Sequence, residues 1–123
     1  MATLNATLSL TSSDATSDRL SVSVTDALTI TNPSVNLARL SVATDAPTNI
    51  LTASGNSAIT YVYIKNTNTD AGHVLTLKID DATAFSDLGA GEFAILPIKG
   101  AVGLECQASG AAVVAEYGYW TKG

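Results

Sequence analysis

The residue types that most often carry catalysis are scarce in this sequence of 123 residues. His73 is the only histidine and Cys106 the only cysteine, so a catalytic device of the Ser-His-Asp or Cys-His kind depends on one of them. His73 follows Gly72 at the start of a predicted strand, where we interpret it as an exposed turn residue. Cys106 lies on the apolar side of another predicted strand and is expected to be a small buried hydrophobe. We therefore predict that the protein is not an enzyme.

One polar segment resembles half of a calcium-binding loop. Asn66, Asn68 and Asp70 occupy alternate positions before Gly72, and oxygen ligands at alternate positions are typical of such loops. The glycine comes one position late, and Leu77 stands where the bidentate glutamate belongs. An ordinary polar turn is the alternative that we favour.

Two further loops could hold an ion or a phosphate. Asp80, Asp81 and Asp87 form a second acidic group, although acidic loops are usually only solvated. The turn Gly89-Ala-Gly91-Glu92 lacks the Lys-Ser/Thr pair that contacts phosphate in a P-loop. No Cys/His cluster offers the spacing of metal ligands. We expect no metal and no cofactor.

Composition and charge narrow the set of partners. The chain is 46% hydrophobic but only 14% charged, with a net charge of −5 and six scattered Lys/Arg residues. Nucleic-acid binding needs a basic stripe, so no nucleic-acid partner is expected. The N-terminal segment lacks the features of a signal peptide, and no apolar run is long enough to span a membrane. A surface poor in charge indicates that a partner, or copies of the same chain, cover part of it.

Apolar and polar residues alternate through the first third of the chain, which is typical of strands with one covered face. The first apolar row contains Leu4, Ala6, Leu8 and Leu10. A second row is interrupted only by Asp26, and it contains Leu20, Val22, Val24, Leu28 and Ile30. We expect residues 1–16 to form an N-terminal strand or an arm that engages a neighbouring subunit.

The rest of the chain continues in short strands separated by turn signals. Residues 58–66 are β-branched and aromatic on both faces, which predicts a central strand. Gly89 and Gly91 are expected to adopt positive φ in a tight turn, and Glu92 to begin the next strand. Pro97 cannot donate to a ladder and therefore predicts an edge strand. We predict one all-β domain over residues 1–123, an antiparallel β-sandwich of jelly-roll or immunoglobulin-like type with about eight strands.

The aromatic residues form two short rows. Tyr61 and Tyr63 share one strand face, as do Tyr117 and Tyr119, and we expect the two rows to lie opposite each other in a cross-strand cluster. A core ladder is favoured over a platform for carbohydrate. Trp120 points away from Tyr119 and is predicted to anchor an interface.

The second half of the sequence resembles small β-sandwich structural proteins of tailed bacteriophages. Three stretches carry the resemblance: AITYVYIKNTNTDAGHVLTLKID (58–80), LGAGEFAILPIKG (88–100) and GLECQASGAAVVAEYGYW (103–120). In that pattern, a corner rich in Gly and Glu precedes a strand with proline, and the closing strand ends in Glu-Tyr-x-Tyr. The corner would comprise Leu88, Gly91, Glu92 and Pro97, and the closing strand Glu116, Tyr117 and Tyr119.

The resemblance implies a virion component without catalytic activity. Capsid cement or decoration proteins of this kind bind the major capsid protein as homotrimers or dimers and stabilise the shell, so we expect a homotrimer on the capsid exterior, made in the host cytoplasm. A tail, neck or fibre protein acting as a carbohydrate-binding or adhesin module is the alternative. The residues that we expect in contacts are Leu4, Leu8, Leu10, Glu92 and Trp120.

Overall fold

Ten strands form the protein in the computed structural model, which describes residues 2–32, 37–53, 58–79 and 83–122. No helix occurs among these residues. In chain order the strands are β1 (Ala2–Ser12), β2 (Leu20–Asn32), β3 (Ala38–Val42), β4 (Thr48–Leu51), β5 (Ile59–Asn66), β6 (Val74–Ile79), β7 (Thr83–Leu88), β8 (Phe93–Lys99), β9 (Leu104–Ser109) and β10 (Val113–Lys122).

The strands pair into two antiparallel sheets. The first sheet has the order β1-β2-β10-β5-β8, and β3 also pairs with β10. The second has the order β4-β9-β6-β7. On one side of β10, β3 runs beside Val113–Tyr117 and β2 meets Thr121 and Lys122. The chain changes sheet between β5 and β6, so the turn that follows Asn66 links the two layers.

The core lies between the two sheets and draws on both. Val62 and Ile64 of β5 and Val113 of β10 are fully buried against residues of the second sheet. The second sheet contributes fully buried residues from β6 and β9: Leu75, Leu77, Leu104 and Cys106. Each large side chain removed from water stabilises the fold by about 1.5–3 kcal/mol. The predicted β-sandwich is confirmed.

The positions of two strands agree with the sequence-based predictions. Strand β5 is central, with β10 on one side and β8 on the other. Strand β8, which contains Pro97, pairs only with β5 among the described strands and is therefore an edge strand. The sequence predicted about eight strands where the structure has ten. The edge strand β7 was missed because its residues are exposed up to Leu88 and therefore show no apolar alternation.

The predicted cross-strand tyrosine cluster is wrong. Tyr61 pairs with Trp120 and Tyr63 with Gly118, whereas Tyr117 and Tyr119 pair with Ile64 and Val62. Because paired residues share a face, Tyr117 and Tyr119 lie on the core side of the first sheet. Tyr61 and Tyr63 therefore lie on its opposite, outer side, and no single platform contains all four rings.

The turn before β8 differs from its prediction in two details. Gly91 has a φ of 78°, but Gly89 does not have positive φ. At Gly89 a Cβ atom would instead lie 2.6 Å from the Glu92 carboxylate, whose Oε1 accepts a hydrogen bond from the Gly89 amide. Glu92 belongs to the turn and not to the strand, because its own amide donates to the Gly89 carbonyl oxygen.

Candidate functional site

The hairpin formed by β1 and β2, hereafter the arm, is the most distinctive feature of the molecule. Its strands pair without a register shift from Ala2 opposite Ile30 to Ser12 opposite Leu20. Only the last residues of β2 pair with the rest of the sheet, at Thr121 and Lys122 of β10. The arm is therefore attached to the sandwich at one end by the strand ladder.

One face of the arm is apolar and the other carries mostly hydroxyl groups. The register places Leu4 beside Leu28, and Leu8 beside Val24, on one face. The opposite face pairs threonines and serines, including Thr7 with Thr25, whose hydroxyl oxygens lie 3.1 Å apart. This amphipathic pattern is typical of a strand pair that buries one side.

The apolar face is most deeply buried near its attachment. Leu28 and Ile30 are buried by the sandwich. Farther along, Leu8 and Leu10 are each 46% exposed and Val24 is 56% exposed. The part of the apolar face that extends beyond the covered end, hereafter the distal face, consists of Leu8, Leu10, Leu20, Val22 and Val24.

A groove of about 480 Å³ separates the arm from the outer side of the first sheet. On the arm it is lined by residues of both strands, including Leu8, Val24 and Asp26, and on the sheet by Tyr63, Phe93 and Ile95. Phe93 is 65% exposed and Ile95 49% exposed. Leu8 and Val24 of the arm therefore lie opposite the exposed side chains of Phe93 and Ile95 of the edge strand across the groove.

A smaller cavity of about 120 Å³ lies nearer the attachment of the arm. It is enclosed by Ala6, Asp26, Leu28, Tyr61, Ile95, Leu96 and Pro97. Together the two cavities show that the arm lies over the outer side of the sheet as a partial third layer, packed closely only at its base.

Among the described residues, Asp26 is the only carboxylate that lines the groove, and it also borders the smaller cavity. Nearby Tyr63 donates a hydrogen bond to Glu116, at 3.0 Å, and Glu116 forms an ion pair with Arg39. Partial burial and the Glu116 carboxylate raise the pKa of Tyr63. The Arg39–Glu116 bridge is the only ion pair among the described residues, so within that part of the chain Asp26 has no cationic partner.

The five predicted contact residues fall into three places. Leu4, Leu8 and Leu10 lie in one row of the arm, with Leu4 half-buried and the other two exposed. Glu92 lies in the turn before the edge strand. Trp120 is half-buried on the outer side of the sheet, where its ring covers Gly118, because a Cβ there would meet the indole at 3.1 Å.

The sequence analysis missed Val24, Phe93 and Ile95 as parts of this surface. Phe93 and Ile95 alternate with half-buried Ala94 and Leu96, so the strand pattern could have assigned them to one face. The strand pattern could not show that the arm lies over that face, because the position of the arm depends on the pairing of β2 with β10, which are far apart in sequence.

His73 and Cys106, the two residues on which a nucleophilic device would depend, are both at least partly buried. His73 is half-buried, not an exposed turn residue, and its Nδ1 lies 2.6 Å from the Asn68 amide nitrogen. Cys106 is fully buried. Burial, with a smaller contribution from Glu105, raises the pKa of its thiol to about 12, so the thiol stays protonated and unreactive near neutral pH.

The calcium-like segment uses its polar groups within the fold. The amide nitrogen of Asn66 donates to two carbonyl oxygens, and its Oδ1 accepts from the Asn68 backbone. Asp87 accepts a hydrogen bond from Thr76 at 2.7 Å, whereas Asp80 and Asp81 lie outside the described residues. Within the described ranges, no three His, Cys, Asp or Glu side chains group closely enough to hold a metal ion.

Comparison with known proteins does not assign the chain to a family. No protein-family model matches the sequence, and no curated protein or solved structure is significantly similar to it. A search of the described residues for a helix able to cross a membrane finds none.

Proposed function

We propose that the protein is a non-enzymatic structural protein of a bacteriophage virion, of the capsid cement or decoration type. In this role it binds the major capsid protein on the capsid exterior and stabilises the shell. The observation that carries the proposal is the amphipathic arm, whose distal face leaves Leu8 and Leu10 46% exposed and Val24 56% exposed. The resemblance of residues 57–120 to virion proteins supplies the class of partner.

The mechanism is the removal of apolar surface from water at many equivalent contacts. Leu8, Leu10 and Phe93 are each exposed by about half or more, so covering them completely would contribute about 1 kcal/mol apiece. One such contact is weak, but a shell repeats it by symmetry, and linked contacts bind far more tightly than single ones. A small protein can therefore stabilise a large assembly with modest surfaces.

The low charge of the chain suits this role. Only 14% of its residues are charged, and the side of the arm opposite the apolar row offers hydroxyl groups that can donate and accept hydrogen bonds. Such a surface can contact another protein without the cost of burying unpaired charges. The homotrimer that the resemblance implies stays a prediction, which measurement of the mass in solution tests.

Binding to shells that lack this protein tests the proposal. Wild-type protein should cosediment with such shells and raise the temperature at which they open, and Leu10→Asn should reduce both effects. The matched control is Ser9→Asn, because Ser9 is the neighbouring residue on the other face of the same strand. Wild-type protein that fails to bind the shells would refute the cement role.

A further inference from the structure

We propose that the free edge of β1 pairs with the free edge of β1 in a second copy of this chain, so that the two arms form one four-stranded antiparallel sheet. A two-fold axis passes through Thr7, and the contact is made by backbone hydrogen bonds. It leaves the distal face of the arm uncovered. The inference rests on the edges of the two sheets and does not depend on the role in a virion.

The edge of β1 is the least protected edge among the described strands. β1 pairs only with β2, and no other described segment forms a backbone hydrogen bond with it. Its 11 residues include no charged residue and no proline, and its pairing with β2 has no register shift. Residues 7–11 are all exposed. Proteins usually protect sheet edges with charges, proline or bulges, because a long and regular edge is a template for another strand.

The other free edges carry such protection. β8 contains Pro97 and Lys99, and β3 has only five residues, one of which is Arg39. β7 contains Asp87 and a register shift in its pairing with β6. β4 has four residues and a register shift in its pairing with β9. Among the described strands, only β1 therefore has an unprotected edge, and the matching edge that the chain itself offers is β1 of a second copy.

The sequence of β1 is complementary to itself in an antiparallel pair. Successive residues of a strand point their backbone groups to opposite edges, so two copies of β1 pair odd-numbered residues with odd and even-numbered residues with even. Paired residues share a face, so the apolar rows of the two copies lie on the same side. The register that pairs all 11 residues places Thr7 opposite Thr7 of the partner subunit and Leu4 opposite Leu10 of the partner subunit. This isologous contact closes at two copies.

The net charge of −5 on each copy opposes this contact only weakly. The two strands of the arm contain one charged residue, Asp26, which lies in β2 opposite Ala6. In the joined sheet, Asp26 and Asp26 of the partner subunit lie in the two outer strands, three strand spacings or at least about 14 Å apart. This separation exceeds the screening length of about 8 Å at physiological ionic strength.

Sedimentation equilibrium over a range of concentrations tests the contact, with charges placed at the axis. We expect a dimer for the wild type and dissociation constants raised at least about tenfold for Thr7→Lys and for Thr7→Glu, because each change sets two like charges directly opposite each other. An equimolar mixture of the two variants should associate to within about threefold of the wild type, because the mixed dimer pairs opposite charges at the same position.

The matched control is Thr25→Lys. Thr25 is exposed and pairs with Thr7 across the hairpin, where their hydroxyl oxygens lie 3.1 Å apart. The control therefore makes the same change in charge as Thr7→Lys and loses the same hydroxyl contact. In the joined sheet its lysines lie in the outer strands, so we expect association within about threefold of the wild type. Circular dichroism checks that each variant keeps its β-structure.

Three results would overturn the inference. They are a wild type that stays monomeric at all concentrations, an oligomer that Thr7→Lys weakens no more than Thr25→Lys, and a mixture of Thr7→Lys and Thr7→Glu that associates no better than either variant alone. Dimers that do not bind shells would instead refute only the cement function. Shell binding by a wild-type monomer would refute only the edge contact.

Discussion

The side-chain amide nitrogen of Asn66 donates a hydrogen bond of 3.0 Å to the carbonyl oxygen of Leu88, at the end of β7. The same nitrogen donates to the carbonyl oxygen of His73, just before β6, at 2.8 Å. Asn66 ends β5 in the first sheet, whereas β6 and β7 belong to the second. One fully buried amide therefore joins the two layers of the sandwich.

Replacing Asn66 with alanine should destabilise the protein by about 2–4 kcal/mol, because a buried carbonyl oxygen of Leu88 and a partly buried one of His73 lose their donor. Urea unfolding followed by circular dichroism measures the change. Asn68→Ala is the matched control: Asn68 is only half-buried, and we expect a loss below about 1 kcal/mol. Equal losses of unfolding free energy for the two variants would show that the hydrogen bonds of Asn66 stabilise the fold no more than those of Asn68.

The buried thiol of Cys106 makes stability depend on pH in the alkaline range. Its folded-state pKa is about 12, so above the ordinary thiol pKa the unfolded chain loses a proton that the folded chain keeps. This contribution is complete below that ordinary pKa and is lost as the pH rises toward 12. At pH 10 the loss amounts to about 1–2 kcal/mol.

Comparing unfolding free energies at pH 7 and pH 10 for the wild type and Cys106→Ala tests this effect. The variant is less stable at both values because it leaves a cavity, but its decrease between them should be smaller by about 1–2 kcal/mol. A thiol reagent at pH 8 should react with the wild type only after denaturation. Rapid reaction of the folded protein would contradict the buried position.

The sequence could predict the sandwich but not its long-range contacts. Alternation at Leu4 to Leu10 predicted a strand, and the proline in β8 predicted an edge strand, because both are local signals. The bridge of Asn66 depends on the second sheet and on Leu88, which lies 22 residues farther along the chain, so the burial of Asn66 had no local signature. The same reason explains why the two tyrosine rows were predicted to lie opposite each other. The alternation of faces along each strand can be predicted locally, but the register between β5 and β10 cannot.

Two glycines with positive φ should respond differently to substitution. At Gly91, φ is 78° and a Cβ atom would meet nothing within 4 Å, so Gly91→Ala should cost about 1–2 kcal/mol from the backbone alone. At Gly110, φ is 89° and a Cβ would lie 2.1 Å from the carbonyl oxygen of Gly72. Gly110→Ala should therefore cost more than about 3 kcal/mol, because the chain near Gly72 must also move.

Thermal unfolding of the two alanine variants measures this difference. Gly110→Ala should have the lower melting temperature, by several degrees relative to Gly91→Ala. A smaller effect at Gly110 than at Gly91 would mean that the approach to Gly72 relaxes without cost.

The arm offers a comparison between two leucines of its apolar face, one in each strand. Leu28 is buried at the base of the arm, whereas Leu8 is 46% exposed on the distal face. Leu28→Ala should cost about 2–4 kcal/mol, because it removes packing against the outer side of the sheet. Leu8→Ala should cost less than about 1 kcal/mol in the isolated chain, because water already reaches much of that side chain.

Urea unfolding at low protein concentration, where copies are separate, measures both leucine variants. The effect of Leu28→Ala should change little with concentration, because its contacts lie within one chain. If Leu8→Ala is as costly as Leu28→Ala at low concentration, the distal part of the arm packs against its own sandwich and is not free to bind a partner.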